Sequence, residues 1–344
     1  MPIMKILLIS RFPPSLGGVE TMGVLIAREW AQNPSLEVKV VTDVPGPSGA
    51  EPSYELIRCP APRQLFQLYR WADAVFFNHC YLKLGLPLLW HRKPYVVSMS
   101  GTLDTLPGQS LRQKFIRFLL RRQLRKASAN IAACQYVRKG NGLPAEVIPN
   151  PYDSSIFFTN GTEQRSYDFF FGGRVNQAAK GCLDLIAAFL ECRKKTGLPL
   201  TLTVAGDGPD LPDMRALAAE AGATGSIRFV GVLGGEALAA EMRRHKVIVV
   251  PSRYQEPIGI ICLEGIACGC IAVGSAGGGL GESVGPCGFT FPNGNAAALA
   301  EAMTRAITLD GSDCGHFRQS AVTHLRQYHP ELIAARYLQV LQAA

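Results

Sequence analysis

Short apolar runs alternate with helical periods along almost the whole chain of 344 residues. The first cycle reads as a strand at Lys5–Ser10, a helix at Gly18–Trp30 and a strand at Glu37–Thr42. The same rhythm restarts at Tyr167–Phe171 and continues to Ile271–Gly274. Alternation at these lengths predicts parallel sheets covered by helices on both faces, so the fold class is α/β.

The alternation breaks once, between Val147 and Phe158, where two prolines flank Asn150. A break of this kind predicts a linker between two domains. We place the domains at residues 1–154 and 155–330, each a doubly wound Rossmann-like sheet. Ligands bind such sheets beyond the carboxyl ends of the strands. The expected site is therefore a cleft that the two domains face.

Charge is divided unevenly between the two halves. Residues 1–155 hold 19 Lys and Arg against 10 Asp and Glu, a net charge of +9, whereas residues 156–344 hold 16 and 17, a net charge of −1. This asymmetry predicts that the first half meets an anionic partner. The ten cysteines form no zinc-type pairs, and the first apolar run is too short for a signal peptide, so we expect a cytoplasmic protein.

Two carboxylates, Glu256 and Glu264, stand on either side of a turn that opens a helix. Pro257 pushes Glu256 out of the α region, and Gly259 allows the backbone to approach a ligand closely. The amides of Gly259 and Ile260 at the helix start are placed to hold a phosphate. Glu264, one turn further along, can bind hydroxyl groups. This layout suits a pyrophosphate flanked by sugars.

The stretch Glu-Pro-Ile-Gly-Ile-Ile-Cys-Leu-Glu, followed by Ala-Cys-Gly, resembles the E-x7-E motif of GT4-family retaining glycosyltransferases with the GT-B fold. The resemblance runs over nearly the whole chain. It implies that Glu256 approaches the donor sugar and that Glu264 binds the nucleotide ribose. It also implies that a C-terminal helix, 331–344, joins the first domain.

Three further segments follow the pattern of the same family. Phe-Gly-Gly-Arg-Val, with a later Lys-Gly at the start of a predicted helix, places Arg174 and Lys180 where relatives contact the donor diphosphate. Gly17 and Gly18 match the Gly-Gly-x-Glu loop beside that diphosphate, and Gly206 matches a Gly-x-Gly-Pro turn. Arg supplies a planar fork and Lys a mobile point charge for phosphate oxygens. The resemblance therefore gives catalytic roles to Arg174, Lys180 and Glu256.

One position departs from the family pattern. Ser100 stands where many relatives carry a histidine that contacts the donor sugar, which leaves the identity of that sugar open. His79, just after the predicted strand Asp73–Phe77, is a second candidate contact to the acceptor or the donor sugar. A surface histidine with no such role fits the sequence equally well.

Residues 109–126 combine seven basic side chains with seven apolar ones and contain no acid. This pattern is typical of a basic amphipathic helix that lies on an anionic membrane surface. It also fits a core helix with a solvated basic face. No single-strand stacking platform or groove-reading motif supports nucleic acid as the partner.

The sequence thus predicts a retaining glycosyltransferase that requires no metal or other cofactor. It would move a sugar from a UDP- or GDP-linked donor to a glycan or lipid-linked acceptor, in surface polysaccharide or glycoconjugate biosynthesis, in the cytoplasm or at the inner face of the membrane. A dehydrogenase or a P-loop phosphotransferase would need glycine motifs that the chain lacks. The alternative is a non-catalytic GT-B subunit that binds a nucleotide or a partner.

Overall fold

A computed structural model describes residues 3–14, 17–47, 49–50, 53–103 and 110–344. Ser15 and Leu16 of the Gly17 loop, and Gln109 of the basic segment, lie outside the described residues. The chain divides into two units, one formed by Met1–Pro151 with Tyr328–Ala344 and the other by Tyr152–Gln327. Each unit holds its own β-sheet.

Within its described residues, the first unit begins with eight strands and four helices. In chain order they are β1 (Met4–Ile9), α1 (Gly18–Ala31), β2 (Leu36–Thr42), β3 (Gly49–Ala50), β4 (Glu55–Arg58), α2 (Pro62–Trp71), β5 (Ala74–Asn78), β6 (Tyr95–Met99), α3 (Leu111–Lys126), β7 (Ala129–Ala132), α4 (Gln135–Asn141) and β8 (Glu146–Val147). A 3₁₀ turn at Leu86–Leu89 lies between β5 and β6.

The sheet of this unit has the order β3-β4-β2-β1-β5-β6-β7-β8, and every pairing is parallel except that of the two-residue β3. Side chains of β1 alternate between two cores because successive residues of a strand point to opposite faces. Ile6 and Leu8 pack in the core that α1 covers, whereas Leu7 and Ile9 pack in the core that α2, α3 and α4 cover. Both faces of the sheet are therefore buried.

The second unit contains six strands and eight helices. They are β9 (Tyr167–Gly172), α5 (Gln177–Lys180), α6 (Cys182–Thr196), β10 (Leu202–Ala205), α7 (Leu211–Glu220), β11 (Ile227–Gly231), α8 (Gly235–Arg243), β12 (His245–Val250), α9 (Ile260–Ala267), β13 (Ile271–Ser275), α10 (Leu280–Val284), β14 (Gly288–Phe291), α11 (Ala296–Ile307) and α12 (Gly311–Arg326). All neighbours in the order β11-β10-β9-β12-β13-β14 pair in parallel. The predicted class of two parallel-sheet Rossmann-like domains is confirmed.

The last helix, α13 (Pro330–Gln342), belongs to the first unit and packs on α1. Trp30 Nε1 donates a hydrogen bond of 2.9 Å to the Ala334 carbonyl oxygen. Tyr337 is fully buried, and its ring stacks on Phe76 with the centroids 5.2 Å apart. The terminal helix thus completes the core on the α1 face of the first sheet.

No helix in the described part of the chain is long and apolar enough to cross a membrane. The strand–helix rhythm read from the sequence matches most elements within one or two residues. It passed over elements that are short or in which alanines or polar residues weaken the apolar period, namely the strands β3, β4, β8 and β14 and the helices α2, α4, α5, α10, α11 and α12.

Replacing Tyr337 by alanine is expected to lower the free energy of unfolding of the first unit by about 3–5 kcal/mol, because a large buried ring leaves a cavity. All three tryptophans, Trp30, Trp71 and Trp90, lie in this unit, so denaturant unfolding followed by tryptophan fluorescence reports on it. Leu332→Ala, on the exposed side of the same helix, should change the value by less than about 0.5 kcal/mol. Equal effects of the two substitutions would contradict the packing described.

Candidate active site

The predicted site residues of the second unit gather at one edge of its sheet. Because all six strands are parallel, the segments that follow β9, β10, β12 and β13 leave the sheet at the same carboxyl edge. These segments contain Arg174 and Lys180, Gly206, Glu256, and the glycine-rich turn 277–279, respectively. In doubly wound sheets this edge is where ligands bind.

After β9, the chain turns through Gly173 and enters the short helix α5. Arg174 is exposed, and its guanidinium makes no ion pair or hydrogen bond with the residues that the structure describes. Asn176 caps α5 by accepting a hydrogen bond of 2.9 Å from the Ala179 amide. The guanidinium is thus available to a ligand at the carboxyl edge.

The prediction that Lys180 opens a helix is wrong, because Lys180 is the last residue of α5. Gly181 follows in the left-handed conformation with φ of +62°, and α6 begins only at Cys182. A β-carbon at position 181 would collide with the Pro251 carbonyl oxygen, so the close passage of these two backbones requires glycine here. This passage brings the end of α5 beside the segment that follows β12.

Lys180 and Glu256 form the central ion pair of the site. Lys180 Nζ donates to Glu256 Oε1 at 2.6 Å, and Ser252 Oγ donates to the other oxygen of the same carboxylate. Glu256 is 6% exposed, so the ammonium and the hydroxyl replace the water that this carboxylate loses on burial. Tyr254 lies next to the pair, with its ring centroid 5.3 Å from Lys180 Nζ. Burial, and then the Glu256 carboxylate, raise the pKa of Tyr254.

Backbone and side-chain bonds fix the segment that carries Glu256. The Arg253 amide donates to the Ala179 carbonyl oxygen at 2.9 Å, and Arg253 Nε forms an ion pair with Asp184 Oδ2 at 2.8 Å. Asn293 Nδ2 donates to the carbonyl oxygens of Ser252 at 3.0 Å and of Tyr254 at 3.1 Å. The loop is therefore held from both sides before any ligand binds.

Two glycines at this edge of the sheet have packing reasons of their own. A side chain at Gly206 would strike the Gly173 backbone, and one at Gly278 would strike the Glu256 carbonyl oxygen. The Gly279 amide donates to that oxygen at 2.7 Å. These contacts explain the glycines as parts of closely packed loops, and contact of Gly206 with a nucleotide stays a prediction.

At the start of α9, only one of the two predicted phosphate-binding amides is available. The Gly259 amide donates to Ser283 Oγ at 3.2 Å, so the expectation that it is free is wrong. The cause is the close approach of α10, whose Leu280 leaves no room for a side chain at Gly259. The Ile260 amide makes no hydrogen bond within the described part of the chain.

Glu264 lies one turn into α9 in a different environment from Glu256. It is 9% exposed, and its carboxyl group has no hydrogen-bond partner among the residues described. Burial, and to a smaller extent the nearby Asp153 carboxylate, raise the pKa of Glu264 to about 8. The group is therefore mostly protonated at neutral pH, and a neutral carboxyl can both donate and accept hydrogen bonds.

The first unit places its own predicted residues at the carboxyl edge of its sheet. Gly17 and Gly18 lead into α1, and a side chain at Gly17 would press on the carboxylate of Glu20. His79 follows β5 with φ of +85°, and its Nδ1 accepts a hydrogen bond of 2.7 Å from the next amide. Burial, and then Arg11, lower the pKa of His79. Ser100 follows β6.

The Ser100 hydroxyl already has a partner. Asn150 Nδ2 donates to Ser100 Oγ at 3.2 Å, and Asn150 is 1% exposed. Asn150 comes from the Pro-Asn-Pro segment that the sequence marks as a linker. Ser100 therefore helps to fix the end of the first unit, and contacts of Ser100 and His79 with a sugar stay predictions.

Ser252, Tyr254 and Asn293 belong to the site although sequence reasoning did not select them. Ser252 and Tyr254 directly follow β12, and a position at the end of a parallel strand is one that the sequence could have indicated as part of the site. The sequence gives no such indication for Asn293, because this residue contacts partners that are about forty residues away along the chain. Groups of three or more metal-ligating side chains do not occur in the described ranges.

Comparison with known proteins finds a family match in the part of the chain that contains this site. Residues 166–308 match the family described as glycosyl transferases group 1. Arg174, Lys180, Glu256 and Glu264 all lie within that match. The match covers less than half of the chain, so it describes the second unit.

Two curated relatives illustrate the sequence similarity. The chain is 34% identical over 139 residues to the 2-deoxystreptamine N-acetyl-D-glucosaminyltransferase of Streptomyces fradiae, covering 40% of this chain and 32% of that protein. It is 30% identical over 212 residues to a D-inositol 3-phosphate glycosyltransferase of Kribbella flavida, covering 59% and 50%. The chain spans about a third of the length of the first curated relatives it matches.

Solved structures extend the likeness to the whole fold. Anabaena HepE in complex with UDP and glucose matches with a TM-score of 0.78 at 18% identity, over 99% of this chain and 100% of that one. Sucrose-phosphate synthase from Thermosynechococcus elongatus matches with a TM-score of 0.78 at 21% identity, over the same shares. These similarities confirm the predicted GT-B fold class.

The raised pKa of Glu264 predicts a pH-dependent stability. The folded protein holds a proton that the unfolded chain releases near pH 4.5, so the contribution of Glu264 to the free energy of unfolding is complete below that pH. It falls by up to about 1.4 kcal/mol per pH unit as the pH rises towards the folded pKa. Glu264→Gln should remove this dependence, so the variant gains stability relative to the wild type between about pH 5 and pH 8.

Scanning calorimetry at several pH values measures that difference. Glu220→Gln, which replaces an exposed carboxylate on α7 of the same unit, serves as the control, and its free energy of unfolding should follow the same pH dependence as that of the wild type. The same pH dependence for Glu264→Gln would refute the assignment of a protonated buried carboxyl.

Proposed function

We propose that the protein is a retaining glycosyltransferase of the GT4 type, acting on a nucleotide-sugar donor and a glycan or lipid-linked acceptor in surface polysaccharide or glycoconjugate biosynthesis. The observation that carries the proposal is the Lys180–Glu256 pair with the unpaired Arg174 at one sheet edge, inside the segment that matches group 1 glycosyl transferases. Two cations at a carboxyl edge are suited to an anionic leaving group.

In the proposed reaction, the bond between the anomeric carbon of the sugar and the diphosphate oxygen breaks. An acceptor hydroxyl oxygen bonds to that carbon on the same face, and its proton passes to the departing diphosphate. Negative charge grows on the diphosphate as the bond breaks. Arg174, Lys180 and the Ile260 amide would stabilise this charge, which is the kind of preorganised interaction that lowers a barrier most.

The two carboxyl groups take different parts in this scheme. Glu256 forms the ion pair with Lys180 and would face the sugar, where positive charge develops at the anomeric carbon. Glu264 is protonated at neutral pH and would bind the ribose hydroxyls as both donor and acceptor. A neutral group there adds no repulsion to the nearby diphosphate.

The donor is proposed to carry UDP or GDP. The likeness in fold to Anabaena HepE, which was solved with UDP and with UDP-glucose, supports UDP as the first compound to test. We further propose that no metal ion takes part, because the two side-chain cations supply the charge that a metal would otherwise provide. Activity should then persist in the presence of a chelator.

A melting-temperature screen with UDP, GDP and ADP tests the donor site. A nucleotide at 100 times its dissociation constant is expected to raise the free energy of unfolding by about 2.7 kcal/mol. No shift with any of the three would count against the nucleotide site. A shift without any turnover of nucleotide sugars would favour the alternative, a non-catalytic nucleotide-binding subunit.

Arg174→Ala is expected to lower the turnover number by about 10²–10³, the usual effect of losing one charge-stabilising donor. Turnover of the nucleotide sugar identified by the screen is the measurement. Arg193→Ala, in the last turn of α6, removes a guanidinium that lies over Phe189, away from the site, and should keep full activity. Near-normal turnover of Arg174→Ala would remove this residue from the mechanism.

We also propose that α3 docks the protein on an anionic membrane surface. Only Leu120 and Leu124 of this helix are buried, whereas Leu111, Phe115 and Phe118 are 85%, 60% and 56% exposed. Ser110 and Gln113 form a capping box at its start. The helix therefore packs through two leucines and presents both apolar and basic side chains to solvent, which suits the lipid interface.

Replacing Lys114, Arg122 and Arg125 together by glutamine is expected to weaken binding to phosphatidylglycerol-containing vesicles by about a hundredfold, since each basic residue contributes about 1 kcal/mol at such a surface. Vesicle flotation is the measurement. Replacing Arg193, Lys194 and Lys195 of the second unit is the matched control and should have little effect. Binding that is equal on neutral and anionic vesicles would contradict the proposal.

A further inference from the structure

A groove on the first unit is not used by the proposed sugar transfer. It lies between α2 and the chain around the 3₁₀ turn Leu86–Leu89 and has a volume of about 600 Å³. Its lining includes Arg63, Phe66, Gln67, Arg70, Trp90 and His91. The residues from α2 occupy positions i, i+3, i+4 and i+7, so they form one stripe along the helix.

This stripe is the outward face of α2. Leu65, Leu68 and Tyr69 of the same helix are buried, and the Tyr69 hydroxyl donates to the Leu84 carbonyl oxygen at 2.7 Å. That contact fixes α2 against the chain that enters the 3₁₀ turn. The groove is therefore a preformed surface feature supported by the core beneath it.

The groove displays an aromatic residue at its rim. Trp90 is 67% exposed, and its ring lies 5.4 Å from that of Phe66. Leu86 and Leu89 beside it are 51% and 69% exposed. Large exposed apolar side chains that lie together mark an interaction site, and tryptophan favours the boundary between water and lipid.

The part of the sequence that contains the groove is strongly basic. Residues 60–145 contain fourteen basic side chains but only two acids, Asp73 and Asp104, and Asp104 lies outside the described residues. The Asp73 carboxylate accepts a hydrogen bond from the Lys5 amide at 2.8 Å. Positive charge mixed with exposed leucines complements an anionic lipid surface, because nucleic acid would gain nothing from the leucines.

The groove and α3 belong to the same helical layer. Leu65 and Leu68 of α2 share one core with Leu120 and Leu124 of α3, on the same face of the sheet. Gln123 of α3 reaches the chain before the 3₁₀ turn by donating through Nε2 to the Tyr81 carbonyl oxygen at 3.5 Å. The outward sides of α3 and of the groove therefore lie on the same side of the sheet.

We propose that this groove is a second contact with an anionic membrane, in which Trp90 enters the interfacial region and Arg63 and Arg70 bind phosphates of lipid headgroups. The inference rests on the proposed docking of α3 and extends it to a two-point attachment. Two separated contacts fix the orientation of the first unit on the membrane, which a single helix does not do.

Tryptophan emission provides a direct test on the full chain. Trp30 is 2% exposed and Trp71 is half-buried under Lys39, so Trp90 is the tryptophan placed to respond to lipid. Vesicles of phosphatidylcholine with phosphatidylglycerol should shift the emission to shorter wavelength, and brominated lipids should quench it. Trp90→Phe should lose both signals while still floating with the vesicles. Phosphatidylcholine alone should cause no change.

Arg63→Gln combined with Arg70→Gln should weaken flotation on the anionic vesicles by about thirtyfold. Arg193→Gln with Arg326→Gln, in the second unit, is the matched control. Flotation of the wild type without a change in emission would overturn the second contact and leave docking by α3 intact. Failure of the wild type to float would overturn both membrane proposals, while the nucleotide screen tests the transferase separately.

Discussion

The ion pair between Lys180 and Glu256 is the interaction around which the second unit is built at its carboxyl edge. A carboxylate with so little exposure is unfavourable without compensation, and removing one partner of a buried pair usually costs several kcal/mol. The two side chains belong to segments that follow neighbouring strands, β9 and β12. Their meeting therefore depends on the strand order, and the loops that carry them are packed to keep them together.

The site contains two carboxyl groups in different surroundings. Glu256 has an ammonium and a hydroxyl within hydrogen-bond reach. Glu264 has neither and faces Asp153, so burial keeps it neutral near pH 7. Two glutamates of one site therefore differ in their surroundings, one in the loop after β12 and the other in α9. Their spacing in the sequence does not reveal this difference.

The sequence predicted the sheet class because apolar strands and amphipathic helices repeat at lengths that are typical of parallel sheets covered by helices on both faces. It also selected Arg174, Lys180, Glu256 and Glu264, since they lie in the segments that follow β9 and β12 and match motifs of the GT4 family. It did not predict the break at Gly181, because a helical period of apolar residues continues across that position. Nor did it predict that Ser283 occupies the Gly259 amide, because that contact depends on how α10 packs on α9.

Gly181 has no functional group, yet the distance between the cation and the carboxylate depends on it. The backbone passes the Pro251 carbonyl oxygen so closely that even a methyl group has no place there. The most sensitive position of the site is therefore one that an inventory of reactive side chains omits. A search for damaging variants in this chain should give glycines at which two backbone segments pass closely the same weight as charged residues.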